Sequence, residues 1–200
     1  NYHEENIEIL NIMAKSYKEL KFTENALTCY QRILNLDSQN FNVCLVMANT
    51  YFDIKDYSKS IEYYQKAIKI NPDKFQSSNF LKLGKSLENI GRSDKAISAY
   101  NKYLEENPED SNVLYNIGVL YKNNNEYDLA MENFKNAVIT DLSNFDLWKN
   151  LAELYLIKEN YEKSIDCARR ALKINPKDIS LIFIMASNYQ GLNNYEKSIE

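Results

Sequence analysis

Residues 111–144 read SNVLYNIGVLYKNNNEYDLAMENFKNAVITDLSN, and residues 77–110 read SSNFLKLGKSLENIGRSDKAISAYNKYLEENPED. Laid one over the other, Leu83-Gly84 falls on Ile117-Gly118, Ala96 on Ala130 and Tyr100 on Phe134. A chain that matches itself at a shift of 34 residues is built from stacked structural units. The same register continues outward. Residues 145–178 supply Leu151-Ala152, Tyr155, Tyr161, Ala171 and Pro176, and residues 41–74 supply Met47-Ala48, Tyr51, Tyr57, Tyr64, Ala67 and Pro72. A fainter unit at 7–40 carries Met13-Ala14, Tyr17, Ala26 and Tyr30. Residues 1–6 form a lead-in, Phe75-Gln76 is an insertion, and a partial sixth unit occupies 179–200, so the array is expected to be a piece of a longer one.

Inside each unit apolar residues recur at helical spacing twice. In the fourth they are Leu114, Ile117, Gly118 and Tyr121, then Ala130, Phe134 and Ala137, with the polar Asn123-Asn124-Asn125 between. Two short amphipathic helices joined by a tight polar turn predict an antiparallel pair. Gly118 and Ala130 let the two backbones approach, while Tyr121 and Phe134 fill the volume beside that contact. Pro72, Pro108 and Pro176 are expected to end the second helices, because proline biases the residue before it away from the α region. A single pair cannot bury both its apolar faces, so stability must come from stacking on neighbours.

Composition narrows the function. Only 4 Gly and 3 Pro leave too little turn chemistry for a many-stranded β fold. One histidine, His3, removes most imidazole catalysis and metal sites that need two imidazoles. The 3 cysteines, Cys29, Cys44 and Cys167, form no CxxC and are explained by packing, which fits a reducing compartment and no cofactor or metal. Glu4-Glu5 and Glu105-Glu106 are adjacent in sequence and diverge on a helix, so neither is a paired-carboxylate site. With a net charge of −4 and no basic run longer than Arg169-Arg170, nucleic acid is not an expected ligand. The longest apolar stretch, 181–186, is far too short to cross a bilayer. No glycosylation sequon occurs, and a cytoplasmic, non-catalytic protein is expected.

At this point the chain resembles the tetratricopeptide repeat (TPR) family. That unit has large residues at positions 4, 11, 17 and 24, small ones at 8, 20 and 27, and often proline at 32. Trp148 at position 4 and tyrosine at position 11 of every unit but the third, where Leu87 stands, carry the likeness. The resemblance implies an all-α, right-handed superhelical α-solenoid of antiparallel helix pairs. It implies a protein–protein interaction scaffold that binds partner peptides or helices in a concave groove. Tyr103 at position 27 and the 75–76 insertion depart from the pattern, so the third unit is expected to pack differently. Ser60 and Ser164 at position 20 read as tolerated drift.

In this family the first helix of each unit lines the groove through positions 2, 5, 6, 9, 12 and 13. The expected groove residues are Asn116, Asn150, Lys82, Lys85, Tyr115, Lys122, Lys149 and Asn49. Asn116 and Asn150 stand at position 6 of successive units, similar to the asparagine ladder of O-linked N-acetylglucosamine transferases. A carboxamide there offers a donor and an acceptor to an extended peptide backbone. The lysines suggest a basic tint favouring an acidic peptide, diluted by Glu88 and Glu153. Leu45, Val46 and Phe52, and separately Leu156, Ile157, Phe183 and Ile184, are apolar at positions expected to be exposed. No window supplies the lysine, asparagine and arginine set of the carboxylate-clamp domains that hold chaperone tails. Partners are therefore expected to be proteins or peptides. The same family also implies two alternatives: the targeting region of a larger enzyme such as a glycosyltransferase, or a structural subunit of a large assembly such as a ciliary transport or cell-cycle complex.

Overall fold

The computed structural model describes residues 2–193, with the side chains described from residue 6 onward; His3, Glu4 and Glu5 have side chains outside the described set, as does the end of the partial sixth unit. Described residues form helices and turns with no strand. First helices are α1 (Tyr2–Glu19), α3 (Phe41–Asp53), α5 (Ser77–Asn89), α7 (Ser111–Asn123), α9 (Phe145–Ile157) and α11 (Ile179–Gly191). Second helices are α2 (Thr23–Leu36), α4 (Tyr57–Ile70), α6 (Ser93–Leu104), α8 (Tyr127–Thr140) and α10 (Tyr161–Ile174). Residues 2–6, expected as a lead-in, continue the first helix. The helices sort into two compact units, Asn1–Glu106 with α1 to α6 and Asn107–Glu200 with α7 to α11.

Local chemistry sets the starts of four first helices and the far ends of all six. Asn40, Asp110, Asn144 and Asp178 accept from backbone N–H groups in the opening turns of α3, α7, α9 and α11, satisfying donors that have no partner within the helix. The far ends stop at a left-handed residue fifteen places into each unit: Lys21, Lys55, Gly91, Asn125, Glu159 and Asn193, with φ between 56° and 71°. Around Lys55, its own N–H donates to the Phe52 carbonyl and the Asp56 N–H reaches back to Tyr51, closing a Schellman turn. Of these six residues one is glycine and two are asparagine, so the turn is imposed by the pairing of the helices more than by the residue that makes it.

The second helices do not need proline to end. α2, α4, α8 and α10 stop at the same place in the unit, although Ser38 and Leu142 stand where Pro72 and Pro176 stand elsewhere. In the two units without proline the preceding residue is an aspartate. Asp37 accepts from the Gln39 N–H and the Asn40 amide, and Asp141 accepts from the Ser143 hydroxyl and the Asn144 amide. An aspartate-led turn thus does what the rigid ring does in the other units.

Within each pair the close approach rests on small residues. Ala14, Ala48, Ala152, Ala26, Ala96 and Ala130 are essentially inaccessible. A Cβ on Gly84 would lie 2.6 Å from the Tyr100 ring, and one on Gly118 would lie 2.6 Å from Phe134 Cε1. Between pairs, each unit contains a polar contact whose two side chains are both fully buried. Ser60 on α4 meets Ser86 on α5 at 3.3 Å, and Ser164 on α10 accepts from the Asn188 amide on α11 at 2.7 Å while donating to the Ala152 carbonyl. All four side chains are fully buried. The serines expected to be drift are therefore one half of a polar match. Where position 20 is Ala96 or Ala130, the following first helix carries Leu120 or Leu154 at position 10; where it is serine, that position is Ser86 or Asn188; and after Ala26 it is Thr50, whose hydroxyl is satisfied within its own helix by the Val46 carbonyl.

The third pair departs from the rest. Inserted Phe75 is 5% exposed and sits edge-on between Tyr64 (5.8 Å) and Phe80 (4.7 Å), so the insertion adds an aromatic to the core of the first unit. α6 has 12 residues where the other second helices have 14. Tyr103, near its end, is half-buried, whereas Ala67, Ala137 and Ala171 at the same position are wholly buried.

Candidate functional site

The expected groove residues fall on the first helices, separately in each unit. In the first, Asn49 on α3 is fully engaged: its amide donates to the Leu45 carbonyl, and its Oδ1 accepts from Lys82 Nζ at 2.7 Å and from the Tyr64 hydroxyl at 3.0 Å. Lys82, on α5, also lies over the Phe52 ring at 5.7 Å. Lys85 is exposed and enters no ion pair among the described residues. Tyr64 is the ring buried under its own first helix, and burial pushes its phenol well above the usual range, so its hydroxyl stays a donor to Asn49. Tyr100 reaches Glu88 in the same way. These buried tyrosines support the polar groups above them, a link that the helical register alone does not reveal.

In the second unit, α7 and α9 bring Tyr115, Lys122, Asn150 and Glu153 together. Lys122 Nζ donates to Asn150 Oδ1 at 2.7 Å and forms an ion pair with Glu153. Asn150 donates in turn to the Asp146 carbonyl at 2.8 Å. The Tyr115 ring lies 5.7 Å from Phe134; burial raises its phenol, Asp146 adds to the rise, and Asn150 opposes it. Lys149 is drawn away to Asp178, the residue that caps α11, at 3.0 Å. Asn116, half-buried on α7, has both its carboxamide donor and acceptor unengaged among the described residues. Of the two expected rungs, Asn150 is held by Lys122 and Asp146, and Asn116 is open.

Charge on this face is balanced. Glu153 and Asp178 offset Lys122 and Lys149, which removes the basic tint of the second unit; Lys82 and Lys85 of the first enter no ion pair among the described residues. The apolar expectations also divide. Phe183 is 71% exposed and Ile157 50% exposed, as expected; Leu45, Val46, Phe52 and Leu156 are half-buried. Ile184 departs outright: it is 6% exposed, because Leu181, Ile184 and Asn188 share the face of α11 that packs on the preceding pair.

All three cysteines are buried, and burial pushes the Cys167 thiol up to about 11, far from thiolate chemistry at neutral pH. Among the described residues no group of three or more His, Cys, Asp or Glu is placed to hold a metal ion, and no helix is long and apolar enough to cross a membrane.

Successive helix pairs, joined by left-handed turns and closed on small residues, define a helical-repeat protein. Sequence models of the tetratricopeptide repeat match residues 7–40, 42–74, 78–110, 99–132 and 145–178. The chain belongs to the tetratricopeptide repeat family, and its fold is that of a protein-interaction scaffold. The match at 99–132 is out of phase with its neighbours: it runs from within α6 into α8.

Among solved structures, MamA superimposes with a TM-score of 0.72 at 20% identity, covering 87% of this chain and 94% of its own. YrrB, a TPR protein with an unusual peptide-binding site, superimposes with a TM-score of 0.71 at 23% identity, covering 84% and 86%. At such identity these likenesses concern the fold. The general transcriptional corepressor trfA of Dictyostelium discoideum is 32% identical over 71 residues, which are 36% of this chain and 5% of that protein.

Proposed function

We propose that this chain is a peptide-binding scaffold, and that the face formed by α7 and α9 receives an extended segment of a partner protein. The observation that carries this reading is the state of the carboxamides. Asn116 keeps a free donor and acceptor on the helix that carries Tyr115 and Lys122, whose cluster with Asn150 and Glu153 is locked by contacts among its members and with their own helices. A pre-organised polar surface with one open amide suits an extended main chain, which repeats donor and acceptor whatever its side chains. Charge balance at Lys122 and Lys149 favours recognition of backbone over recognition of an acidic motif. Lys82, Lys85 and Asn49 form the corresponding face of the first unit. YrrB, which shares the fold, is a peptide-binding TPR protein, and that supports the same use of the fold here.

Affinity capture from the source lysate with the parent chain, Asn116→Ala and Asn116→Arg tests the reading, with mass spectrometry of the bound proteins. Specific proteins should be weakened by alanine, which removes the amide, and lost with arginine, which fills the face. Equal capture by all three would move the interaction off these helices.

A further inference from the structure

Arg169-Arg170, the longest basic run, has no part in the face just described. It lies on α10, and with the loop between α8 and α9 it borders a cleft of about 530 Å³. Two of the four arginines in the chain meet there, together with Lys173. Arg170 stacks with its guanidinium carbon 4.7 Å from the centre of the Trp148 ring. The indole is itself fixed, since Nε1 donates to the Leu142 carbonyl at 2.9 Å. Stacking on an indole holds a guanidinium by its face and leaves its N–H edge free. Arg169 spends one N–H on the Tyr189 hydroxyl at 2.9 Å. Among the described residues none of the three cations enters an ion pair, and Asp166 is the single acid bordering the cleft. The remaining lining is apolar: Leu142 is 64% exposed and Ile174 42% exposed.

A fixed arginine edge, two further cations and an open apolar floor form a site for a ligand with a carboxylate next to an apolar group. The chain as a whole is acidic, with a net charge of −4, which disfavours a long polyanion and leaves a short acidic segment as the complementary occupant. We infer that this cleft is a second binding site, for a short acidic peptide segment of a partner protein. Its carboxylates engage Arg170, Arg169 and Lys173, and a neighbouring apolar side chain rests on Leu142 and Ile174.

Because Trp148 is the one tryptophan in the chain and lines the cleft, a change in its emission in the folded protein reports an event at the cleft. The experiment titrates the full chain, by calorimetry and by Trp148 emission, with a blocked peptide of alternating acidic and leucine residues. Three further arms use the same peptide with amides replacing acids, the same peptide with phosphoserine replacing acids, and a single-stranded oligonucleotide. The variants are Arg170→Gln/Lys173→Gln, whose altered side chains are exposed, and Asn116→Ala as a control on the other face; circular dichroism checks that each keeps its helicity. The expected result is saturable binding of the acidic peptide with a change in Trp148 emission. The affinity read from Trp148 emission should fall at least tenfold with the amide peptide or with the double variant, while Asn116→Ala, which alters only the α7–α9 face, should leave the emission change in place. An equal emission change with the amide peptide, none with the acidic peptide at low salt, or its loss in Asn116→Ala instead of the double variant would overturn the proposal. So would at least tenfold tighter binding of the phosphoserine peptide or of the oligonucleotide, each of which names a different occupant. Since Asn116→Ala separates the two faces, the cleft and the α7–α9 face stand or fall independently.

Discussion

Glu159 holds a left-handed backbone at φ 56°, where a Cβ costs free energy that glycine avoids. Replacing it with glycine removes that strain but also loosens the unfolded chain, so the net gain is modest. Glu159→Gly is expected to raise stability by about 0.5–1 kcal/mol, seen as a higher midpoint in urea. A lower midpoint would mean that the glutamate side chain contributes more than its backbone costs. Gly118 presents the opposite situation. A methyl there would sit 2.6 Å from Phe134 Cε1, inside a pair whose partners are wholly buried, so the ring or the helix must move. Gly118→Ala should cost roughly 1–3 kcal/mol by overpacking, and Phe134→Leu in the same chain should recover part of it; thermal unfolding of the single and double variants decides. The small residue at this place was legible in the sequence because it recurs with the period. The left-handed residue was not, since lysine, glutamate and asparagine give no common signal for a turn that the helix pair imposes on them.

Between helices, the polar matches Ser60–Ser86 and Ser164–Asn188 are the features that single-helix reading misjudges. Periodicity identifies position 20 as a small buried site, and serine there looks like drift; its meaning depends on a residue 24 or 26 places later, on another helix. Ser164→Ala should leave the buried Asn188 amide without its acceptor and cost about 1–3 kcal/mol. Joined to Asn188→Leu it recreates the alanine and leucine combination of Ala130 and Leu154, and much of the loss should be restored. A double-mutant cycle on the urea midpoint that gave simple additivity would contradict the match. The link from α9 to α11 titrates. Hydrogen bonds from Ser180 and then Lys149 hold the Asp178 carboxyl down at about 2, and Asp178 also caps α11. With its pKa depressed in the folded state, its contribution is present above the ordinary carboxylate value of about 3.9 and is lost as pH falls toward 2. Lys149→Gln should raise the Asp178 midpoint in an NMR titration, and an unmoved midpoint would dissociate Lys149 from it. Asn150 and Lys149 illustrate how far the candidate site was legible. Their helix and face followed from the register, but their partners, Lys122 and Asp178, lie one unit away on each side and depend on how neighbouring pairs stack.

Over the whole chain, the period of 34 made the all-helical fold readable at once, because every unit repeats one packing solution and local errors do not accumulate. Individual properties were harder to read where they depend on a neighbour: Ile184 is buried by the preceding pair, and the cleft beside Arg170 exists because a loop, an indole and a second helix meet. The same neighbour dependence shapes unfolding. Trp148 belongs to the unit Asn107–Glu200, so its emission follows that unit, while far-ultraviolet circular dichroism follows every helix in the chain. Gly84→Ala places a methyl 2.6 Å from Tyr100 in the other unit, the same kind of overpacking that Gly118→Ala makes beside Phe134. In an array whose stability is a sum over units and nearest neighbours, the two variants should give different signatures. Gly84→Ala should broaden the circular dichroism transition and lower its midpoint while the Trp148 transition stays in place; Gly118→Ala should move the Trp148 transition first. If both probes shift together in both variants, the chain unfolds as one cooperative body, and the division at Glu106 and Asn107 has no energetic counterpart.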